Sequence, residues 1–313
     1  MKYLGEIISL GVAFSWTITA LCFEYAGKRV GSLAVNLLRL LLAFLMLAVL
    51  LYCFTGSCMP VGADGKTWLW MSVSGLIGFV FGDFCLFYSY ILIGSRFGQL
   101  LMTLAPPAAA LSGALLLQEE LRPMAIAGMT ITLSGIALSI FSKGKGPGEH
   151  IHIKLPLKGL LMGIGGGVGQ GVGLVFSKLG MDYYSRSAAG YGEEIQQLIP
   201  FAASQIRVVT GIVGFTCILL ISRRIGILRA AVHDRPAMRA VFWGTIFGPF
   251  LGVSFSLMAV QYTESGIAST LMALTPILII LPSVLWFRQK VTFSEIVGAV
   301  VSVIGVSFFF WDK

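Results

Sequence analysis

Charge is what this sequence has least of. Asp, Glu, Lys and Arg make up 12% of its 313 residues, against about 25% in an ordinary soluble domain. Hydrophobic residues reach 57% and the mean hydropathy is +0.88, which excludes a water-soluble globular fold and places the chain in a bilayer. Histidine is scarcer still. His150, His152 and His233 all fall between apolar segments, so zinc or serine chemistry at membrane depth has no ligand or base. The five cysteines (Cys22, Cys53, Cys58, Cys85, Cys217) are odd in number and show no C-x-x-C spacing, which excludes a disulfide framework and a metal site. No cofactor is implied. A basic face or arm is also missing. The net charge of +8 is spread over short runs such as Lys28-Arg29 and Arg223-Arg224, pointing away from nucleic acid and toward anionic lipid headgroups.

What the sequence has is apolar length. A spanning helix needs about 20 mostly apolar residues, and that template predicts ten, over 4–25, 33–54, 67–92, 98–118, 123–142, 156–180, 200–221, 238–262, 266–287 and 293–311. The first is read as a retained span and not a signal peptide, because no small-residue cleavage site follows it. Most connections are short and polar. Two are longer: 142–156, rich in Gly, Pro and Lys, divides the chain near its middle, and 181–200 has room for a short interfacial helix or a lid.

The two parts repeat. Pro106 and Pro276 stand 170 residues apart, and the same offset joins Gly78 to Gly248, Gly82 to Gly252, Ser95 to Ser265, Gly128 to Gly298 and Gly135 to Gly305 without a gap. Arg39 pairs with Arg207 at an offset of 168, and Gly11 with Gly165 at 154. Each repeat holds five helices, an odd number, so like-folded halves must lie in opposite senses across the membrane. That is the inverted-repeat plan of many secondary transporters. The expected organisation is a first five-helix repeat over 1–142, a linker over 143–155 and a second repeat over 156–313.

These residues resemble the ten-helix members of the drug/metabolite transporter superfamily built from two EamA domains. The marks are the second-helix arginines Arg39 and Arg207, the fourth-helix prolines Pro106 and Pro276, the acid Glu120 ending that helix, and the paired glycines of the fifth. Where the first half has Glu120, the second has Lys290. The resemblance implies export or exchange of small metabolites or drugs through a central cavity between the halves, without nucleotide hydrolysis.

Within the stretch GLIGFVFGDFCLFYSY, residues 75–90, stands one acid, Asp83. It falls roughly 4–5 Å from the middle of its helix at about 1.5 Å per residue. An acid there costs about 2.5–3.5 kcal/mol even on insertion scales, so it faces the bundle interior or a wet cavity. Helical spacing puts Phe79, Phe87 and Tyr90 on its stripe. Two roles fit: a substrate or proton site, or a structural acid paired with Arg39. Asp83 corresponds to Val253 across the repeat, and an unmatched buried charge suits function, whereas the matched arginines suit the scaffold.

Pro106 and Pro276 mark backbone hinges in the fourth and ninth helices, and breaks at matching points of two halves indicate a binding site. Polar residues in reach of those hinges are Gln99 and Thr103 on the fourth helix, Ser269 and Thr275 on the ninth, Ser254 and Gln261 on the eighth, and Trp16 and Thr17 on the first; each also serves as ordinary packing glue. With Asp83 and its aromatic stripe they outline a substrate cavity among helices 1, 3, 4, 6, 8 and 9, with helices 2 and 7 outside it. GIGGGVGQGVG, 163–173, never satisfies G-x-G-x-x-G in any register. Its overlapping G-x-x-x-G spacings bring helices close, and Gln170 in its middle joins the candidate set.

The leading function is therefore a secondary active transporter, exporter or exchanger of a small metabolite, amino acid or drug-like solute. It works by alternating access, with proton coupling through Asp83. The alternatives are a lipid-moving or structural membrane protein and an intramembrane enzyme. The enzyme would need a second buried acid to share a proton, and the helices supply none. The expected partners are a small-molecule substrate and the lipid bilayer, and the expected location is a bacterial inner (plasma) membrane. The Lys and Arg bias of the odd-numbered connections puts both termini outside the cytoplasm; the resemblance implies both inside.

Overall fold

The computed structural model describes residues 4–117, 123–142, 155–262, 271–287 and 291–308. Glu120, Ser269, Lys290 and nearly all of the linker 143–155 lie outside them. The described residues are helical throughout their ordered elements. Seven helices are long and apolar enough to cross a membrane: α1 (Leu4–Val30), α2 (Ser32–Thr55), α3 (Gly65–Ile93), α4 (Ser95–Leu116), α6 (Leu157–Ser187), α7 (Gly192–Ile221) and α8 (Arg235–Ala259). Three more apolar helices complete the ten: α5 (Pro123–Ser142), α9 (Thr275–Leu285) and α10 (Phe293–Phe308). The chain is an all-α integral membrane protein of two inverted five-helix repeats.

Packing follows the repeat. α1 crosses α8, and its counterpart α6 crosses α3; α2 packs on its own counterpart α7, and α5 on α10. At the α5/α10 contact the paired glycines meet. A Cβ on Gly298 would stand 2.6 Å from the carbonyl of Gly135, so only glycine lets these backbones approach so closely. Thr132 and Ser302, repeat equivalents, exchange hydroxyl-to-carbonyl bonds of 3.3 Å each. The main apolar core lies between α2 and α7, where Leu40, Leu47 and Leu51 meet Ile206, Phe215 and Leu219.

The length expected in a lid over 181–200 went elsewhere. α6 runs on to Ser187 and α7 starts at Gly192, leaving a tight turn between them. Pro200, placed at the edge of the predicted seventh helix, sits inside α7. A short helix, Gly226–His233, joins α7 to α8 and carries His233 at its end.

Two local departures from ideal helix recur at the repeat offset. Wide, π-type turns occupy Leu76–Asp83 of α3 and Ile246–Phe250 of α8; such turns leave backbone carbonyls to be satisfied from outside the helix. α4 tightens at Met102–Leu104 just before Ala105-Pro106, and α9 is interrupted at 273–274 just before Thr275-Pro276.

Candidate functional site

Asp83 closes the wide turn of α3, near the middle of the bilayer span, with a side chain only 8% exposed. One of its oxygens is ion-paired with Arg39 of α2. The other accepts a 2.6 Å bond from the Gln170 amide of α6, which also donates to the Gly78 carbonyl at 3.0 Å. Gln170 thus ties the acid and the loosened turn together. Gln170 reaches them because α6 is glycine at each crossing position: a Cβ on Gly169 would meet the Cα of Gly82 at 2.8 Å, and one on Gly173 the Cα of Gly78 at 3.0 Å.

Arg39 is engaged through its Nε, one terminal nitrogen and its guanidinium face. Its Nε donates to Asn36 at 3.2 Å, and its guanidinium lies 4.7, 5.5 and 5.7 Å from the rings of Phe87, Phe79 and Phe23. The aromatic stripe is therefore a cation-π cage for the arginine as much as a wall for the acid. Tyr90 extends it, stacked on Phe87 at 5.5 Å, and accepts a 2.7 Å bond from Gln99 of α4. Arg207 of α7 comes to the same place, 4.5 Å from the Phe79 ring, and its Nε is buried without a hydrogen-bond partner among the described residues. The expected cavity left helices 2 and 7 outside it, but both bring an arginine to the cluster around Asp83: Arg39 pairs with the acid and Arg207 lies on the Phe79 ring.

The other candidates sit at the α1/α8/α9 crossing or satisfy themselves locally. Trp16 packs against Gly252 and the Met272 region. Thr17 donates to Ala13 at 2.9 Å, and Thr103 to Leu100 at 2.7 Å within the tightened turn of α4. Thr275 donates to Met272 at 2.8 Å and reaches the Ala13 carbonyl at 3.4 Å. The Ser254 hydroxyl is buried with no partner among the described residues. The side chain of Gln261 lies outside the described set, as does Ser269. Pro106 and Pro276 both follow the helix breaks, Pro276 buried and Pro106 partly so. Asp83, Phe79, Phe87, Tyr90, Gln99 and Gln170 are thus connected; Trp16, Thr17, Ser254 and Thr275 are not joined to them by any bond described.

A second polar cluster was not foreseen, and its Glu24 and Glu295, both buried on helices, correct the expectation that the helices supply no second buried acid. Glu24, fully buried at the last turns of α1, accepts from Lys28 at 2.5 Å and from the Ser95 backbone at 2.6 Å, so it caps the first turn of α4. Next to it Arg96 pairs with Glu295 of α10 at 2.9 Å, both nearly inaccessible, beside a cleft lined by Phe97, Leu100 and Pro276. Only the Glu24/Lys28 spacing was legible in advance, as a helical i,i+4 pair.

Comparison with known proteins agrees with this architecture. A curated protein of Archaeoglobus fulgidus described as an uncharacterized transporter is 28% identical over 112 residues, 36% of this chain and 38% of that relative's length. A solved crystal structure superposes with a TM-score of 0.59 over 98% of this chain and 96% of its own, at 16% identity, a likeness of fold. The EamA-like transporter family matches residues 3–141 and 157–311, nearly the whole of both repeats that share the wide turns and broken helices, and the chain belongs to that family.

Proposed function

We propose that this protein is a secondary active transporter of a bacterial inner membrane, an exporter or exchanger of a small metabolite, amino acid or drug-like solute, with proton coupling through Asp83. The observation that carries the reading is the matched pair of breaks in α4 and α9, each ending two residues ahead of Pro106 or Pro276. Broken helices at equivalent points of inverted repeats supply pliable backbone and free polar groups near the midplane, which is where alternating access needs them. Asp83 supports the coupling role: it is the one acid of the mid-span cluster and has no counterpart in the second half.

Held by Arg39 and Gln170, the carboxylate is closed off in this state. Rocking of α2 against α3 opens the pair, exposes the acid to one side and lets a proton take the place of the arginine. Substrate and proton then compete for the opened cluster.

Asp83→Asn keeps the shape and an acceptor for Arg39 but cannot titrate. Reconstituted into vesicles, this variant is expected to retain solute exchange while losing net transport driven by a pH gradient. An unchanged pH profile would remove the coupling role. Failure of Asp83→Asn and Arg39→Gln to fold, in the same way, would reduce the pair to structure alone.

A further inference from the structure

The two repeat-related arginines differ in everything that surrounds them. Arg39 has Asn36 on its Nε and Asp83 on its terminal nitrogen. At the corresponding offsets of 168 and 170, Arg207 has Ser204 and Val253. The Ser204 hydroxyl is turned to the Pro200 carbonyl at 2.8 Å, and valine accepts nothing. The fold has duplicated the cation without its acceptors.

Arg207 is nonetheless built into place. It is 5% exposed, lies on the Phe79 ring and sits close over Gly78: a Cβ there would stand 2.8 Å from its terminal nitrogen. Asp83 and Arg39 are the charged groups of the cluster that act on it. With both arginines and the acid ionised, the cluster carries one uncompensated positive charge at mid-span. A buried, unpaired charge is costly, and a planar guanidinium with unused donors is the side chain best suited to a carboxylate.

We propose that Arg207 is an anion-recognition site that takes the carboxylate group of a transported solute, which stands to Arg207 as Asp83 stands to Arg39. The proposal rests on the transport reading of the Asp83 cluster and adds to it a substrate class: organic anions, or solutes bearing a carboxylate, over neutral or purely cationic ones.

The test is equilibrium binding to the purified, detergent-solubilised full chain, with acetate and benzoate as probes and acetamide and benzamide as neutral isosteres, in chloride-free buffer. The expected result is saturable stabilisation by at least one carboxylate and by neither amide. Arg207→Gln should weaken that binding by about tenfold or more, the loss expected for a charge-assisted contact. Gly78→Ala, which keeps the charge but displaces the guanidinium, should weaken it too and serves if Arg207→Gln does not fold. Val253→Asp should supply an internal carboxylate and exclude the probes. Binding by carboxylate and amide alike, binding indifferent to these variants, or no binding would overturn the proposal. Saturation by chloride that excludes benzoate would overturn the carboxylate assignment in favour of a resident halide. Because binding needs no gradient, it is read separately from flux: Arg207-dependent binding in a protein that carries nothing would defeat the transport reading and leave the site standing.

Discussion

The crossing of α3 by α6 and the crossing of α8 by α1 have the same backbone and opposite chemistry. Both contain a wide turn, Leu76–Asp83 in one and Ile246–Phe250 in the other, and the opposing helix reaches Gly82 in the first and Gly252 in the second. In the first, Gly169, Gln170 and Asp83 make a close, polar junction held by hydrogen bonds. In the second, the equivalents are Ser15, Trp16 and Val253, and the junction carries no charge: the Ser15 hydroxyl donates to the Phe247 carbonyl and the Thr19 hydroxyl reaches the Gly244 carbonyl at 3.5 Å. The freed carbonyl is satisfied both times, by a glutamine amide in one half and a serine hydroxyl in the other. Duplication therefore conserved the mechanical part, a deformable turn clamped by its neighbour, and the arginine, while the acid was confined to one half. A single acid, Asp83, makes a symmetric frame asymmetric.

The largest way to break this comparison is to remove the acid. Asp83→Ala leaves Arg39 buried without its partner, and removing one member of a buried pair costs about 3–5 kcal/mol. Val253→Ala at the equivalent point loses only part of a half-buried side chain, about 1 kcal/mol. Denaturation of the two variants in the same detergent should show that gap. Equal losses would mean that Asp83 contributes no more than packing.

A smaller contrast lies in the crossing residues. Gly169→Ala pushes a methyl group against the Gly82 backbone, which cannot move aside as a side chain can, and overpacking of this kind costs about 1–3 kcal/mol. Ser15→Ala removes one hydrogen bond, about 1 kcal/mol. Thermal midpoints should fall in that order, and a Gly169→Ala variant as stable as the parent would show that α6 is not seated as closely as described.

The smallest effect sharpens the comparison at the helix starts. Asp64 caps α3 and Asp234 caps α8, again 170 residues apart. Both carboxyls are held below the usual range: Asp64 by the Thr67 hydroxyl and then its backbone N–H, Asp234 by the Ala237 N–H and then by Arg29 of α1. A lowered folded value means that each cap's contribution is present above the ordinary carboxylate pKa of about 4 and fades as pH falls through the folded one. Thermal midpoints of Asp64→Ala and Asp234→Ala should thus lie below the parent at neutral pH and converge on it in acid. Salt should shrink the difference for Asp234, whose ion pair with Arg29 is exposed, more than for Asp64.

Much of the fold was legible because membrane helices obey local rules. Twenty apolar residues must form internal hydrogen bonds in lipid, so hydropathy alone places most ends within a few residues, and a gap-free offset of 170 exposes the repeat. The misplaced lid at 181–200 shows the limit of that rule: Met181 to Ser187 and Gly192 to Ile199 include polar residues but continue their helices beyond the apolar core, where water tolerates them. The candidate site was half legible. Asp83 declared itself as a charge in an apolar run, and Gln170 as the one amide in a glycine stripe. Arg207 was identified as a repeat mark, yet nothing in its neighbours named Asp83 as its company.

By itself the sequence determined the number of helices, their inverted pairing, and which half carries the buried acid, since these depend on hydropathy, periodicity and counting along one chain. Only the tertiary structure decided that α2 and α7 meet at the centre, that both arginines come to the cluster around Asp83 while one of them keeps an unused Nε, and that Glu24 caps a helix 71 residues later in the chain. Those depend on which helix faces touch. In a chain apolar almost all the way round each helix, packing of glycines and rare polar groups selects the faces, and that selection is made between segments.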